Sequence, residues 1–306
     1  GDEVLVPSLT YVASFQAISA TGATPVACDC LDKTLFIDTD DARKRISSKT
    51  KAIMPVHYAS DSQYMDTIYE LSSEHKLRVI EDAAHSFGSI RNQKKIGVEG
   101  DIICFSFDGI KNITSGEGGA VLTSDKELAQ QIKDARLLGV EKDSEQRYQH
   151  KRSWLFDVQQ QGLRYHMSNI MAAIGCEQLK KIDSISQKRK RIAETYNNAF
   201  KENSNISTLA LDYQNIVPHI YVIRVNEANR DQLKNHLHRN KIESGIHYPP
   251  NHLLSKYKSN ISLPVTEKLY KEILTLPCHV DLSIKNQERV INCIEEFFQK
   301  ENKKND

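Results

Sequence analysis

The 306-residue sequence holds no apolar run approaching the roughly 20 residues needed to span a bilayer, which excludes a helical span within it. Its opening, GDEVLVPSLT, has neither a basic n-region nor a signal-like apolar segment, so a cytoplasmic location is expected. Charge of one sign is also missing. Lys plus Arg number 41 against 40 for Asp plus Glu, which removes any electrostatic case for nucleic acid or an anionic membrane as partner and points to a small ligand. No CxxC pair occurs among the six cysteines, which removes the usual zinc and redox motifs. Cys28 and Cys30, in TPVACDC, occupy alternate positions of a strand and read as packed thiols, as do Cys104, Cys176, Cys278 and Cys293 by default. No GxGxxG stands between a strand and a helix, so GEGG at 116–119 is not a dinucleotide fingerprint. Internal repeats and low-complexity tracts are absent as well.

What is present is an alternation. EVLVPS, TPVACD, KAIMPVH, LRVIEDA, DIICFSF and GGAVLTS are short apolar runs separated by stretches of helical character, the pattern of a mainly parallel α/β sheet. One helix is marked by a capping box, Ser124 with Glu127, by Leu128, Ile132 and Ala135 on one face, and by Gly139 as its stop. From Ser168 to about Lys201 a single long helical pattern follows, with QKRKR as a solvated basic face. PHIYVIRV then reads as a strand, NRDQLKNHLHRN as a helix and NQERVINCIEEFFQK as a closing amphipathic helix; the polar tail KENKKND is expected to fray. A chain of this length exceeds one core, so a large domain over 1–200 and a smaller α+β domain over 201–306 are expected.

Ligands of open α/β sheets collect beyond the carboxyl ends of the strands. Asp82 closes LRVIED and Ser106 closes DIICFS, with Lys111 five positions further on. A partly desolvated lysine loses its proton at moderate cost and attacks carbonyls. If the carbonyl belongs to pyridoxal phosphate, a carboxylate such as Asp82 suits the ring nitrogen and a hydroxyl such as Ser106 suits the phosphate. Singly, each is also what a strand end, a turn or a solvated loop uses.

In combination they carry a resemblance. EDAAHSFGS followed by GDIICFSFDGIKNITSGEGGAVLTSD resembles the sugar-nucleotide aminotransferases of the DegT and StrS family, and so do GDEVLVPSLTYVAS, GATPVACD, TKAIMPVH, RYHMSNIMAAIGCEQL, IHYPPNHL and LPCHVDLS, in the family's order and over nearly the whole chain. The resemblance implies the fold type I architecture: a mainly parallel mixed sheet flanked by helices, with a smaller C-terminal α+β domain. It implies pyridoxal phosphate as cofactor and amino transfer, with glutamate as donor, to a nucleotide-diphospho-keto-sugar, feeding a polysaccharide or glycosylated metabolite. Lys111 would bond the cofactor aldehyde, Asp82 would pair with the pyridine nitrogen, and Ser106 would contact the phosphate. Tyr11 would stack on the ring, and His85 would lie beside it. Read without the resemblance, Tyr11 is a core aromatic and His85 a loop histidine.

His247 and Tyr248, in GIHYPPNH, match a segment at the active-site mouth and are candidates for substrate contact, or else an ordinary strand exit. The family is homodimeric with sites completed across the interface. Where many members carry asparagine to reach the neighbouring subunit's phosphate, this chain has Arg164, able to make a charge-assisted contact or a structural ion pair. HYASDSQYMD lacks the family's Gly and Pro, so the loop after His57 is expected to differ in shape. Family members also carry a segment ahead of GDEV whose helix start donates amides to the phosphate; the sequence is expected to be a fragment that binds its cofactor weakly alone. A related branch replaces the lysine with histidine and dehydrates its substrate, so Lys111 argues for transamination. A non-catalytic ligand-binding or regulatory member of the fold, and a dehydratase, are the alternatives.

Overall fold

The strands are short and apolar because most of them lie between two layers of helices. The structure is a computed structural model that describes residues 1–140 and 156–305, side chains of 302–305 excepted. Strands β1 (Glu3–Pro7), β2 (Thr24–Cys28), β3 (Thr50–Ile53), β4 (Arg78–Asp82), β7 (Ile102–Ser106) and β8 (Gly119–Leu122) form one sheet in the order β2-β1-β3-β4-β7-β8; β5 (Ile90–Arg91) and β6 (Lys94–Lys95) make a separate hairpin. Every neighbouring pair of the sheet is parallel except β7 with β8. Strand parity divides the core. Leu5, Ile53 and Val79 pack on one face with Met65, Ile68 and Leu71 of α3 (Met65–His75) and Ala42 of α2 (Thr39–Lys44). Val4, Val6 and Ala52 pack on the other with Phe15 and Ile18 of α1 (Val12–Ala20).

The antiparallel β8 is admitted by glycine. Gly116 and Gly118 have φ of +83° and +151°, and a Cβ on Gly119 would lie 2.7 Å from the carbonyl oxygen of Phe105. GEGG is therefore the turn that returns the chain against β7.

Helix α4 (Lys126–Ala135) is capped differently from the expected box: the side chain of Asp125, one residue beyond Ser124, accepts from the Leu128 amide at 3.0 Å. It ends at Ala135 with Arg136 as its cap, ahead of Gly139, whose amide donates to the Asp134 carbonyl at 2.9 Å. The long pattern from Ser168 is two helices, α5 (Asn169–Leu179), capped by Ser168, and α6 (Ile182–Phe200), with a break at Lys180 and Lys181. The break separates two apolar faces: α5 buries nothing, whereas Ile182, Ile185, Ile192, Ala193, Tyr196 and Phe200 of α6 are buried. QKRKR is not wholly solvated. Arg189 within it is 5% exposed and donates from Nη1 to the carbonyls of Pro218, His219 and Cys278.

The C-terminal part holds β9 (Ile206–Thr208), β10 (Tyr221–Val225) and β11 (Ile273–Leu276) in an antiparallel sheet of order β11-β10-β9, with α7 (Glu227–Arg239), α8 (Pro264–Glu272) and α9 (Ile284–Asn305). Helix α9 continues into the tail that was expected to fray. A core of this part joins the end of α6 to α7, α9, β10 and β11. A further apolar cluster joins Leu9, Leu35 and Tyr58 to Ile220, Val222, Leu269 and Ile273, bridging the two sheets.

Among the described residues, one histidine–carboxylate pair is wholly inside. His57 Nε2 lies 2.9 Å from Glu81 Oε2 with both side chains fully buried. The Tyr69 hydroxyl donates to Glu81 Oε1 at 2.6 Å, and the Ser86 hydroxyl meets His57 Nδ1 at 2.8 Å. Burial pushes the Glu81 carboxyl up, but His57, Tyr69 and Arg91 outweigh it and hold it below the ordinary glutamate value. Its contribution to stability is accordingly present above that ordinary value and lost as pH falls through the lower folded one. Replacement Glu81→Ala leaves the buried His57 ring, the Tyr69 hydroxyl and the Arg91 guanidinium without their shared carboxylate and is expected to lower urea-unfolding stability by about 3–5 kcal/mol. Unfolding within about 1 kcal/mol of the parent would contradict a net role for the pair.

Candidate active site

At the carboxyl edge of the large sheet lies a cavity of about 620 Å³. From the sheet side it is lined by Tyr11, Asp82, His85, Ser106 and Lys111, and from the segment between α7 and α8 by His247 and Tyr248. Seven of the eight residues singled out in the sequence thus meet in one place. The eighth, Arg164, is exposed and outside it, bridged through its backbone to Leu137.

Parallel pairing brings the strand ends together. Asp82 stands opposite Cys104 in the β4–β7 register, and Ser106 ends β7 two residues later. Asp82 points toward α1, where the Ser14 hydroxyl donates to its Oδ2 at 2.7 Å, while the Ala84 amide donates to Oδ1 at 3.2 Å. Ser14 is 3% exposed, so the carboxylate is anchored from inside the protein. Glu81, one position earlier, points the other way into the His57 pair.

Lys111 sits on a loop pinned at both ends: the Phe107 amide donates to Gly118 at 2.8 Å and the Ser115 amide to Phe107 at 2.9 Å. Its own amide donates to Asp108 at 3.1 Å. Burial lowers the Lys111 ammonium pKa below the ordinary lysine value, and the charges of Asp82 and Asp108 only partly oppose this. The amine is therefore neutral at a lower pH than that of a surface lysine.

Three imidazoles lie close enough to feel its charge. His85 is 5% exposed, its ring centroid lies 4.3 Å from that of His219, and its Nε2 is 3.1 Å from the Tyr248 hydroxyl. Nδ1 of His85 and Nδ1 of His219 have no hydrogen-bond partner among the described residues. Burial drives His85 and His219 well below the ordinary histidine value, assisted by each other's proximity in the first case and by Lys111 in both. His247, lowered by burial and by Lys111, bonds Thr275 Oγ1 through Nδ1 at 2.8 Å. Burial, then Asp82 and Tyr11, raise the Tyr248 phenol, which stays protonated. Tyr11 is 58% exposed, with its ring 5.6 Å from that of Tyr248.

Several site residues are not evident from the sequence. Ser14 was legible only as a helix residue three positions after Tyr11. His219 falls within PHIYVIRV, read from the sequence as strand throughout, whereas the strand begins at Tyr221 and leaves His219 in the segment before it. Ala59 and Ser60, with φ of +49° and +74°, take the left-handed conformation in the loop where the missing glycine was noted.

Comparison with known proteins gives concordant findings. The DegT/DnrJ/EryC1/StrS aminotransferase family profile matches residues 1–295. The spore coat polysaccharide biosynthesis protein SpsC of Bacillus subtilis is 33% identical over 308 residues, 97% of this chain and 79% of its own. The solved structure of Spr1654 from Streptococcus pneumoniae in its PMP form superposes with a TM-score of 0.90 at 29% identity, covering 98% of this chain and 82% of the other. PseC of Helicobacter pylori, an aminotransferase involved in the biosynthesis of pseudoaminic acid, gives 0.90 at 28%, covering 98% and 80%.

The electrostatics predict a signed change. In the cofactor-free protein, acylation of Lys111 followed by mass spectrometry against pH should show a midpoint below that of surface lysines. Because Asp82 raises the Lys111 value, Asp82→Asn should move that midpoint further down. An upward or absent shift would show that Asp82 does not face the amine.

Proposed function

The chain belongs to the DegT/DnrJ/EryC1/StrS aminotransferase family, and from that premise we propose that it transfers the amino group of glutamate to the keto carbon of a nucleotide-diphospho-sugar. The net reaction converts glutamate and keto-sugar to 2-oxoglutarate and amino-sugar. The family's cofactor is pyridoxal phosphate, and relatives of this fold are known in pyridoxal and pyridoxamine phosphate forms.

The residues present fit that cofactor. A carboxylate preset by Ser14, a lysine with a lowered pKa, an exposed tyrosine ring and an unpartnered buried imidazole nitrogen all border one cavity. Asp82 would hold the ring nitrogen, Tyr11 the ring face and Ser106 the phosphate, with His85 beside the ring. When bound, pyridoxal phosphate supplies an aldehyde and an electron-withdrawing ring. Lys111 is assigned two tasks, covalent attachment of the aldehyde and proton carriage. Once the donor's amine has displaced it, its neutral amine would take the proton from the donor's α-carbon and hold it as the ammonium, and in the other half-reaction the ammonium form would deliver a proton to the sugar carbon. His247 and Tyr248, at the mouth, are assigned to substrate contact. The observation that carries the proposal is the convergence of Lys111 and Asp82 on one cavity at the carboxyl edge of the sheet.

A homodimer is part of the reading. Among the described residues lining the cavity, Lys111 is the one lysine or arginine, against Asp82, Asp108 and Glu117, and its amine is committed to the aldehyde. A dianionic phosphate therefore calls for positive charge from elsewhere, and Arg164 of a second copy supplies it in this proposal. Exposed Tyr165, Ile170 and Ile174 beside it support a covered face there. The larger, cofactor-binding unit is assigned to 1–200 and the smaller to 201–306. No helix among the described residues is long and apolar enough to cross a membrane, and a cytoplasmic site of action is proposed.

Incubation with pyridoxal phosphate, borohydride reduction and peptide mapping should place the label on Lys111. Lys111→Ala should then reduce amino transfer from glutamate by about 10²–10⁴-fold or more. Label elsewhere, or undiminished turnover by the variant, would remove the assignment. Loss of the sugar hydroxyl without an amine in the product would instead identify a dehydratase.

A further inference from the structure

Directly after Lys111 stands Asn112, 4% exposed. Its Nδ2 donates to the carbonyls of His85 at 3.2 Å, Phe87 at 3.2 Å and Val217 at 3.0 Å. Three carbonyls around one end of the side chain fix that end as the amide nitrogen. These are not local turn contacts, since the partners lie 27, 25 and 105 positions away. Ser60, fully buried, brings its hydroxyl to two of the same carbonyls, His85 at 2.5 Å and Val217 at 2.7 Å, and accepts from the His219 amide at 3.1 Å.

The proton count closes. A side-chain amide carries two N–H protons and a hydroxyl one. Three protons thus serve three carbonyls, with no donor to spare. The groups so joined belong to four separate parts of the chain: the loop that carries Lys111, the turn after β3 that carries Ser60, the turn after β4 that carries His85, and the segment before β10 that carries His219. Arg189 also holds the last of these, through the carbonyls of Pro218 and His219.

We propose that Asn112 and Ser60 are positioning residues that hold Lys111 in register with the tilted His85–His219 ring pair, fixing where its amine can carry a proton. The proposal rests on the role assigned to Lys111 above. A lysine that must both bond an aldehyde and move a proton depends on placement to within about 1 Å, and misplacement on that scale costs about 10²-fold in rate. The side chain of Lys111 has four rotatable bonds and cannot hold itself there, so placement comes from its backbone and from the walls around it. Asn112 fixes the backbone at the next residue, and the carbonyl it grips at His85 fixes one wall. Neutral imidazoles at that wall add no charge of their own, which agrees with the downward displacement of His85 and His219.

The variants are Asn112→Asp, which keeps the shape but turns the donors into an acceptor facing carbonyls, Asn112→Ala and Ser60→Ala. In the full chain without cofactor, the pH profile of Lys111 acylation is read by mass spectrometry. With pyridoxal phosphate loaded, kcat and KM follow for glutamate and a keto-sugar that the parent chain aminates. Both Asn112 variants should move the acylation midpoint up toward that of surface lysines and lower kcat about 10–100-fold, with KM values within about threefold of the parent. Ser60→Ala, which leaves two protons for three carbonyls, should move both in the same direction by about 3–10-fold in kcat. If the Asn112 variants do not fold, Ser60→Ala carries the test by the same criteria. Acylation profile and kcat within twofold of the parent, with only the melting temperature lowered, would overturn the positioning role. Failure of the unsubstituted chain to form a borohydride-fixed adduct on Lys111 would instead reject the functional reading, and the acylation profile would still decide whether the clamp places the amine.

Discussion

Parallel strands leave a sheet by the same edge, and everything chemical in this protein depends on that. Because β4 and β7 run side by side in the same direction, Asp82 and Ser106 emerge as neighbours although 24 positions separate them. The next strand breaks the rule. β8 runs back against β7, and the loop between them must turn through the region just beyond the edge, which is how Lys111 arrives opposite the acid. An all-parallel continuation would have carried the chain away over a helix. Glycine at 119, where any side chain would collide with the Phe105 carbonyl, makes the reversal possible.

The strand order of chemistry was readable in the sequence because it depends on local signals. Apolar runs with an acid or a hydroxyl at the end, and a lysine before a glycine cluster, need no knowledge of the third dimension. The residues that hold those groups were not readable for the opposite reason. Ser14, Asn112, Ser60 and Arg189 act through carbonyls or carboxylates distant in sequence, and nothing in their neighbours separates them from ordinary polar residues. Arg189 illustrates the limit: set among lysines and an arginine in QKRKR, it looks solvated, yet one helical turn is enough to put one of these charges inside and its neighbours in water. Boundaries failed for a related reason. The apolar stripe from Ser168 onward is continuous in composition, but its two halves face different surroundings, and only packing reveals the break at Lys180 and Lys181.

Burial shapes the electrostatics of the cavity more than pairing does. Lys111, His85, His219 and His247 are all displaced toward their neutral forms, with desolvation the largest cause in each case. Four basic groups so close together would repel one another if all were charged, and keeping most of them neutral lets them share one wall. The acid side is organised differently. Asp82 is held by a hydroxyl and an amide, and Glu81, its neighbour in sequence, is committed to a separate pair beneath the sheet. Adjacent carboxylates thus face the cavity and a buried pair without competing.

The apolar cluster that joins Leu9, Leu35 and Tyr58 to Ile220, Val222, Leu269 and Ile273 has a mechanical consequence. Units that meet through polar surface are free to swing as rigid bodies, whereas units welded through shared hydrocarbon are not. The segment bearing His247 and Tyr248 packs its own Ile246 and Tyr248 against this weld, so it cannot serve as a wide hinged jaw. An aminotransferase must admit two unlike molecules in turn through one opening. A segment so welded leaves adjustment to side-chain rotations at the rim, which operate far faster than domain closure.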